Sequence, residues 1–158
     1  GRAAAFHAVA KKRPDARFLV ATASDRGTLE KALWAAGDAE RACFVPLADE
    51  PDRRAAHAAA DLAWVPRGAA GGLPMKLLDA LARGVPTIVT ERATAGVDLC
   101  EAAAVVADDD EEALAAAALL AIEGRDAAKA LGSRGREFVA SHHDAASYLA
   151  ALDSLQAV

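Results

Sequence analysis

Apolar positions along the chain switch repeatedly between two periods. "AAAFHAVAKKR", residues 3–13, carries them at helical spacing and stops before Pro14, whose ring and missing N–H bar it from a helix interior. "RFLVATA" is a short β-rich run. Ser24 or Asp25 then offers a cap to a helix over "RGTLEKALWAAG", which stops at Gly37. "ACFVPL" reads as a strand, "EPDRRAAHAAA" as a helix with Pro51 at its start, and "DLAWVP" as a strand. Helix "PMKLLDALARG" and strand "PTIVT" follow, and "AAAVVAD" is a last strand. Three helical stretches close the chain: "DEEALAAAALLAIEG", "DAAKALGSRGREFVASHH" and "DAASYLAALDSL".

Strands separated by helices of about ten residues need crossover connections, which makes them parallel, and short continuous apolar strands are those covered on both faces. The pattern predicts an α/β fold: a doubly wound, Rossmann-like parallel sheet of about five strands with a helical C-terminal tail. Such sheets take ligands beyond the carboxyl ends of their strands. No internal repeat or Pro/Ser-rich linker interrupts the chain, so residues 1–158 read as one domain. The sequence opens without Met and enters a helix at once, as a fragment whose preceding strand and loop are cut away would.

Composition narrows the function. Hydrophobic residues make up 54% and charged residues 26% of the 158, the balance of a soluble globular chain. No charge-free apolar run reaches the roughly 18 residues of a membrane span, and the expected location is the cytoplasm. A net charge of −5 with scattered basic residues argues against a nucleic-acid partner. Cys43 and Cys100 lack metal-ligand spacing and read as inert buried thiols.

The stretch that carries chemistry is "RGAAGGLPMKLLDALARGVPTIVT", residues 67–90. Gly68, Gly71 and Gly72 follow a strand and let the backbone approach a ligand without Cβ clashes. Pro74 fits the first turn of the next helix, whose unpaired N–H groups and positive dipole end suit a phosphate. Helix-dipole reasoning would place an acid in that turn; Lys76 stands there instead, which points to an anion nearby. Asp79, one turn on, shares a face with Lys76, and a carboxylate is a natural acceptor for adjacent sugar hydroxyls. The competing reading pairs Asp79 with Arg83 at i+4 and leaves Lys76 solvated.

The segment "VPRGAAGGLPMKLLDALARGVPTIVTERATAGVDL" resembles the donor-binding segment of family 4 (group 1) glycosyltransferases of the GT-B fold. "RPDARFLVATAS", "HAAADLAWVP", "AVVADDDEEALAAAALLA" and "LGSRGREFVASHHD" fall in the order of that family's corresponding elements, so the likeness covers nearly the whole chain. It implies the C-terminal, nucleotide-sugar-binding half of an enzyme that moves a sugar from a nucleoside-diphosphate sugar to an acceptor hydroxyl, with retention. Enzymes of this kind serve in cell-surface polysaccharide biosynthesis. It implies no metal and no further cofactor, an N-terminal acceptor domain as partner, peripheral membrane contact through that other half, and an inactive fragment in isolation. Asp79 matches the second acid of the family's glutamate pair, which holds the donor ribose. Lys76 matches the subgroup lysine and is the residue assigned to catalysis. Gly71, Gly72 and Leu73 form the loop at the pyrophosphate and sugar, Arg67 is a further donor-binding residue, and Val45 to Leu47 lie where the family's backbone meets the nucleobase. The family's first glutamate, eight positions before Asp79, falls at Gly71, and aspartate at 79 is one methylene shorter than glutamate. The family's first, central strand, between "RFLVATA" and "DLAWVP", is expected to be missing, leaving a gap or a re-paired centre.

Two other classes are weighed against this reading. A degenerate nucleotide-sugar fold serving as an interaction module fits the missing glutamate. A receiver-like signalling domain would need an Asp ending its third strand, and "FVPLADE" supplies acids only beyond a proline. Trp34 and Trp64 read as packing anchors, His57 as a surface or core-edge residue, and His142 and His143 as solvated or capping. Glu101 is a further donor-site acid by position alone. The run "DDDEE" reads as a helix cap.

Overall fold

The computed structural model describes residues 2–21, 27–46, 49–66 and 73–143. Helix α1 (Arg2–Lys12) leads into β1 (Phe18–Ala21), α2 (Gly27–Ala36) and, after a single 3-10 turn, β2 (Ala42–Val45). Then come α3 (Glu50–Ala58), β3 (Ala63–Val65), α4 (Met75–Ala82), β4 (Thr87–Thr90), α5 (Glu91–Thr94), β5 (Ala104–Val106), α6 (Glu111–Glu123) and α7 (Arg125–His142). Every expected element with described residues is present. The short helix α5, hidden in "ERAT", is an addition. Ser24, Asp25 and the stretch "DAASYLAALDSL" lie outside the described residues.

All strand pairs are parallel, but the sheet is divided. β1 pairs with β2, Phe18 opposite Ala42 and Val20 opposite Phe44. β3, β4 and β5 form a second sheet in that order, with Ala63 opposite Thr87 and Thr90 opposite Val106. Among the described residues β1 and β3 are not hydrogen-bonded to each other, and the division falls where the sequence reading places a gap. Side chains bridge it: Phe6 stacks on Phe18 at 4.9 Å between ring centroids, and Phe18 meets Trp64 at 5.7 Å. Helix α1 spans both sheets. Its Ala3, Phe6 and Ala10 pack with Leu33 beside Phe18 and Phe44, while Ala5 and Val9 join Ile88, Leu114, Ala118 and Leu119. His7 fixes the same helix further through Asp38, Nδ1 to Oδ2 at 2.8 Å.

Alternation along β3 and β4 makes the fold doubly wound. Trp64 and Ile88 point into the layer of α1 and α6, and Val65 and Val89 into the layer of α4 and α7 with Leu77, Leu81, Ala93, Leu99 and Phe138. The acidic run does cap a helix: Asp110 Oδ1 accepts from the Ala113 N–H at 2.8 Å, while Asp108 and Asp109 hold Arg92. Of the two tryptophans only Trp64 anchors packing. Trp34 is 70% exposed, because α2 turns Leu33 to the core and the next position outward. Both cysteines are exposed, against expectation. Cys43 sits on β2, which has a neighbouring strand on one side only among the described residues, and Cys100 occupies a turn with φ of 48°.

Helix α7 comes close to the turn that ends α4 at its glycines. Gly84 closes α4 with φ of +70°, a conformation that suits glycine. A Cβ on Gly132 would overlap the Gly84 carbonyl oxygen, and one on Gly135 would stand 2.9 Å from Leu81 Cδ2. Alanine at a helix interior is worth ~1 kcal/mol over glycine, whereas overpacking costs ~1–3 kcal/mol or more and a backbone carbonyl cannot swing aside. The clash should win. We expect Gly132→Ala to lower the thermal midpoint by a few degrees, at about 2–4 °C per kcal/mol for a domain of this size. A Gly132→Ala chain as stable as the parent in a thermal unfolding scan would show that α7 does not approach this closely.

Candidate functional site

Helix α4 carries the residues on which the sequence reading rests. Its apolar positions set its roll: Leu77 and Leu81 are fully buried and Ala80 nearly so, under the sheet and α7. Met75 and Lys76 are consequently exposed in the first turn, and Asp79 is half-buried at the margin. Pro74 stands at the N-cap, one position before the first turn, and offers no side-chain acceptor. Its carbonyl accepts from the Leu77 and Leu78 N–H groups at 2.9 and 3.3 Å. The first turn holds no acid. Leu73, just before it, packs against the core cluster under α4. This amino end follows the carboxyl end of β3, on the sheet edge where parallel α/β folds take ligands.

Asp79 has a defined setting. Its Oδ1 accepts from Arg83 Nε at 2.8 Å, the i+4 pair that the sequence also allowed. Its Oδ2 lies 3.9 Å from His57 Nε2, too far for a hydrogen bond. The outer oxygen therefore keeps its accepting capacity while the inner one is oriented. Arg83 continues the chain of charges: its Nη2 donates to Glu50 Oε1 at 2.5 Å, and Glu50 Oε2 accepts from Arg53 Nη2 at 3.1 Å. Asp49 caps α3 through the Asp52 N–H at 2.9 Å and so fixes where Glu50 begins. The hydrogen bond from Arg83, then that from Arg53, holds the Glu50 carboxyl below the usual range, and Glu50 and then Asp79 raise Arg83 further above its ordinary value. Exposed pairs of this kind add little stability each. Their effect is to fix α3 against α4 and to orient the Asp79 carboxylate.

The structure brings Leu73, Lys76 and Asp79 together along the start of one helix. Val45 lies at the carboxyl end of β2, at the same edge but in the other sheet. Arg67, Gly71, Gly72 and Leu47 lie outside the described residues. Glu101 precedes β5 by three residues, at the amino edge, away from this end of α4. Sequence reasoning missed the surroundings of Asp79. Glu50 and Arg53 gave a signal in their i, i+3 spacing, whereas His57 gave none, since only the fold puts it beside Asp79. Among the described residues no group of three His, Cys, Asp or Glu side chains is arranged to hold a metal, and no helix is long and apolar enough to cross a membrane.

Comparison with known proteins gives the family. No curated protein sequence matches the chain. Among solved structures, Anabaena Alr3699/HepE in complex with UDP superposes with a TM-score of 0.82 at 16% identity, over 100% of this chain and 45% of that one. Sucrose-phosphate synthase from Thermosynechococcus elongatus gives 0.81 at 22% identity, over 98% of this chain and 41% of that one. The C-terminal domain of a glycosyl transferase group 1 family protein, LpcC, from Francisella tularensis gives 0.74 at 20% identity, over 90% and 77%. The chain thus spans less than half the length of the first two and most of the isolated C-terminal domain. At these identities the superpositions establish a shared fold. The family model described as glycosyl transferases group 1 matches residues 3–123, from α1 through the last residue of α6, and by that match the chain belongs to the group 1 glycosyltransferases.

Proposed function

We propose that this chain is the donor-binding half of a glycosyltransferase that moves a sugar, with retention, from a nucleoside-diphosphate sugar to an acceptor hydroxyl. The observation that carries the reading is the amino end of α4: an acid-free first turn with Lys76, followed one turn later by a carboxylate with one oxygen oriented and the other open. A diphosphate placed there meets the positive end of the helix dipole and the Lys76 ammonium, and the Asp79 Oδ2 accepts from the ribose hydroxyls. As the glycosidic bond to the diphosphate lengthens, charge develops on the leaving oxygens. Backbone N–H groups of the loop at Gly71, Gly72 and Leu73, together with Lys76 and Arg67, are the groups assigned to neutralise it, and Val45 and Leu47 to bordering the base. HepE, of the same fold, is known in complex with UDP and glucose, which supports a nucleotide-sugar ligand. We assign acceptor binding to a separate N-terminal domain, catalysis to the assembled enzyme, its place to the cytoplasm, and no role to a metal.

A second reading, an interaction module on a degenerate donor fold, is favoured by two observations. Arg83 already occupies one oxygen of Asp79, and glycine stands at 71 where a glutamate would complete the acidic pair. Titration with UDP, GDP and ADP separates the two readings, since the module should bind none.

Asp79→Asn should weaken binding of the preferred nucleoside diphosphate by about 1–3 kcal/mol, the cost of losing a charged acceptor, with little change in melting temperature because the Arg83 pair is half-exposed. An unchanged affinity in calorimetric titration would leave Asp79 only its ion pair. Lys76→Ala should weaken the diphosphate far more than the bare nucleoside. Equal losses for the two ligands would remove Lys76 from the phosphate site.

A further inference from the structure

A second basic feature lies at the other end of α4. A cleft of about 340 Å³ opens between α3, the α4–β4 turn and α7, walled by Arg54, His57, Arg83 and Arg136 over a floor that includes Ala82 and Val85. Arg83 follows Lys76 by seven residues, about 10 Å along a helix axis, and the turn it begins leads to the amino end of β4. The cleft thus lies beyond Asp79 from Lys76, sharing Arg83 and His57 with the surroundings of that carboxylate. Among the described residues no carboxylate lines it. Glu50 and Asp79, the acids paired with its Arg83, are both bound to that guanidinium. Arg54 has no ion pair among the described residues, and Arg136 makes only a long contact, 3.4 Å, from Nη2 to the Arg83 carbonyl. In a chain of net charge −5, two unneutralised guanidinium groups and an imidazole facing one cleft are an uneven distribution that an anion would balance.

We propose that this cleft binds a phosphate monoester. Planar guanidinium forks pair with phosphate oxygens in bidentate geometry, which selects a tetrahedral oxyanion over a halide. Two arginines suit a dianion. The volume exceeds that of the phosphate itself, and Ala58, Ala82 and Val85 give the organic part an apolar surface. Arg83 joins this site to the donor residue Asp79 through its Nε, so an occupied cleft bears on the carboxylate at its far side.

Glycerol phosphate and inorganic phosphate, titrated into the ¹⁵N-labelled chain and followed by backbone amide NMR, test it. The expected result is that amides of Arg54, His57, Arg83, Val85 and Arg136 shift, with glycerol phosphate binding more tightly than inorganic phosphate. Arg54→Gln and Arg136→Gln, both at exposed positions, should each weaken the ester about fivefold or more, the loss of one charge-assisted pair, while Lys76→Ala leaves it bound and both glutamine variants still bind nucleoside diphosphate. Shifts confined to residues 73–79, or loss of binding in Lys76→Ala, would place the phosphate at the donor end and overturn the proposal. Absence of any shift at tens of millimolar ester, or affinity unchanged in both glutamine variants, would overturn it as well. Equal affinity for the two probes would leave no binding role for the apolar floor and contradict the assignment to a monoester.

Discussion

Everything proposed for this chain depends on how firmly α4 is held. Its buried side, Leu77, Ala80 and Leu81, is packed between the sheet and α7, and α7 reaches the end of α4 backbone to backbone because residue 132 has no side chain. An eight-residue helix is too short to persist by itself. Its axis, roll and end points are imposed by tertiary packing, and those in turn decide that Lys76 faces outward and that Asp79 sits at the margin beside α3. A loosened α7 would disturb the donor end of α4 without touching Lys76 or Asp79.

Charge supplies the finer positioning. Glu50 opens α3 directly after its Asp49 cap, and through Arg83 it fixes the orientation of Asp79 on the neighbouring helix. The individual pairs are weak because they are partly solvated, yet they share Arg83, so the orientation of one carboxylate follows the whole chain of contacts from α3. That arrangement reconciles two roles for Asp79 that the sequence sets against each other. The ion pair uses one oxygen, and a ligand would use the other.

How much of this could be read in the sequence varies with the range of the interaction. Alternating strand and helix periods specify "RFLVATA", "ACFVPL", "DLAWVP" and "PTIVT" because local apolar runs report strand directly, most clearly in "PTIVT", where all four residues of β4 are buried. The cap at Asp110 and the end of α4 at Gly84 are local as well. The burial of Leu33 rather than Trp34 was not legible, since it depends on the roll of α2 against α1. Nor was the exposure of Cys43, which follows from β2 lying outermost among the described strands. His57 came to matter only when the fold set α3 against α4. The donor residues Lys76 and Asp79 were visible through their spacing and through resemblance, whereas the basic cleft joins Arg54, Arg83 and Arg136 from three elements and has no linear signature.

The central claim is that the amino end of α4 binds a nucleoside diphosphate through its first turn, Lys76 and the outer oxygen of Asp79. A crystal structure of the chain with UDP tests it most directly. The account predicts the diphosphate against residues 73–76 and the ribose hydroxyls within hydrogen-bond distance of Asp79 Oδ2, with Oδ1 still held by Arg83. A diphosphate bound away from α4, or one bound there with the ribose turned from Asp79, would contradict it.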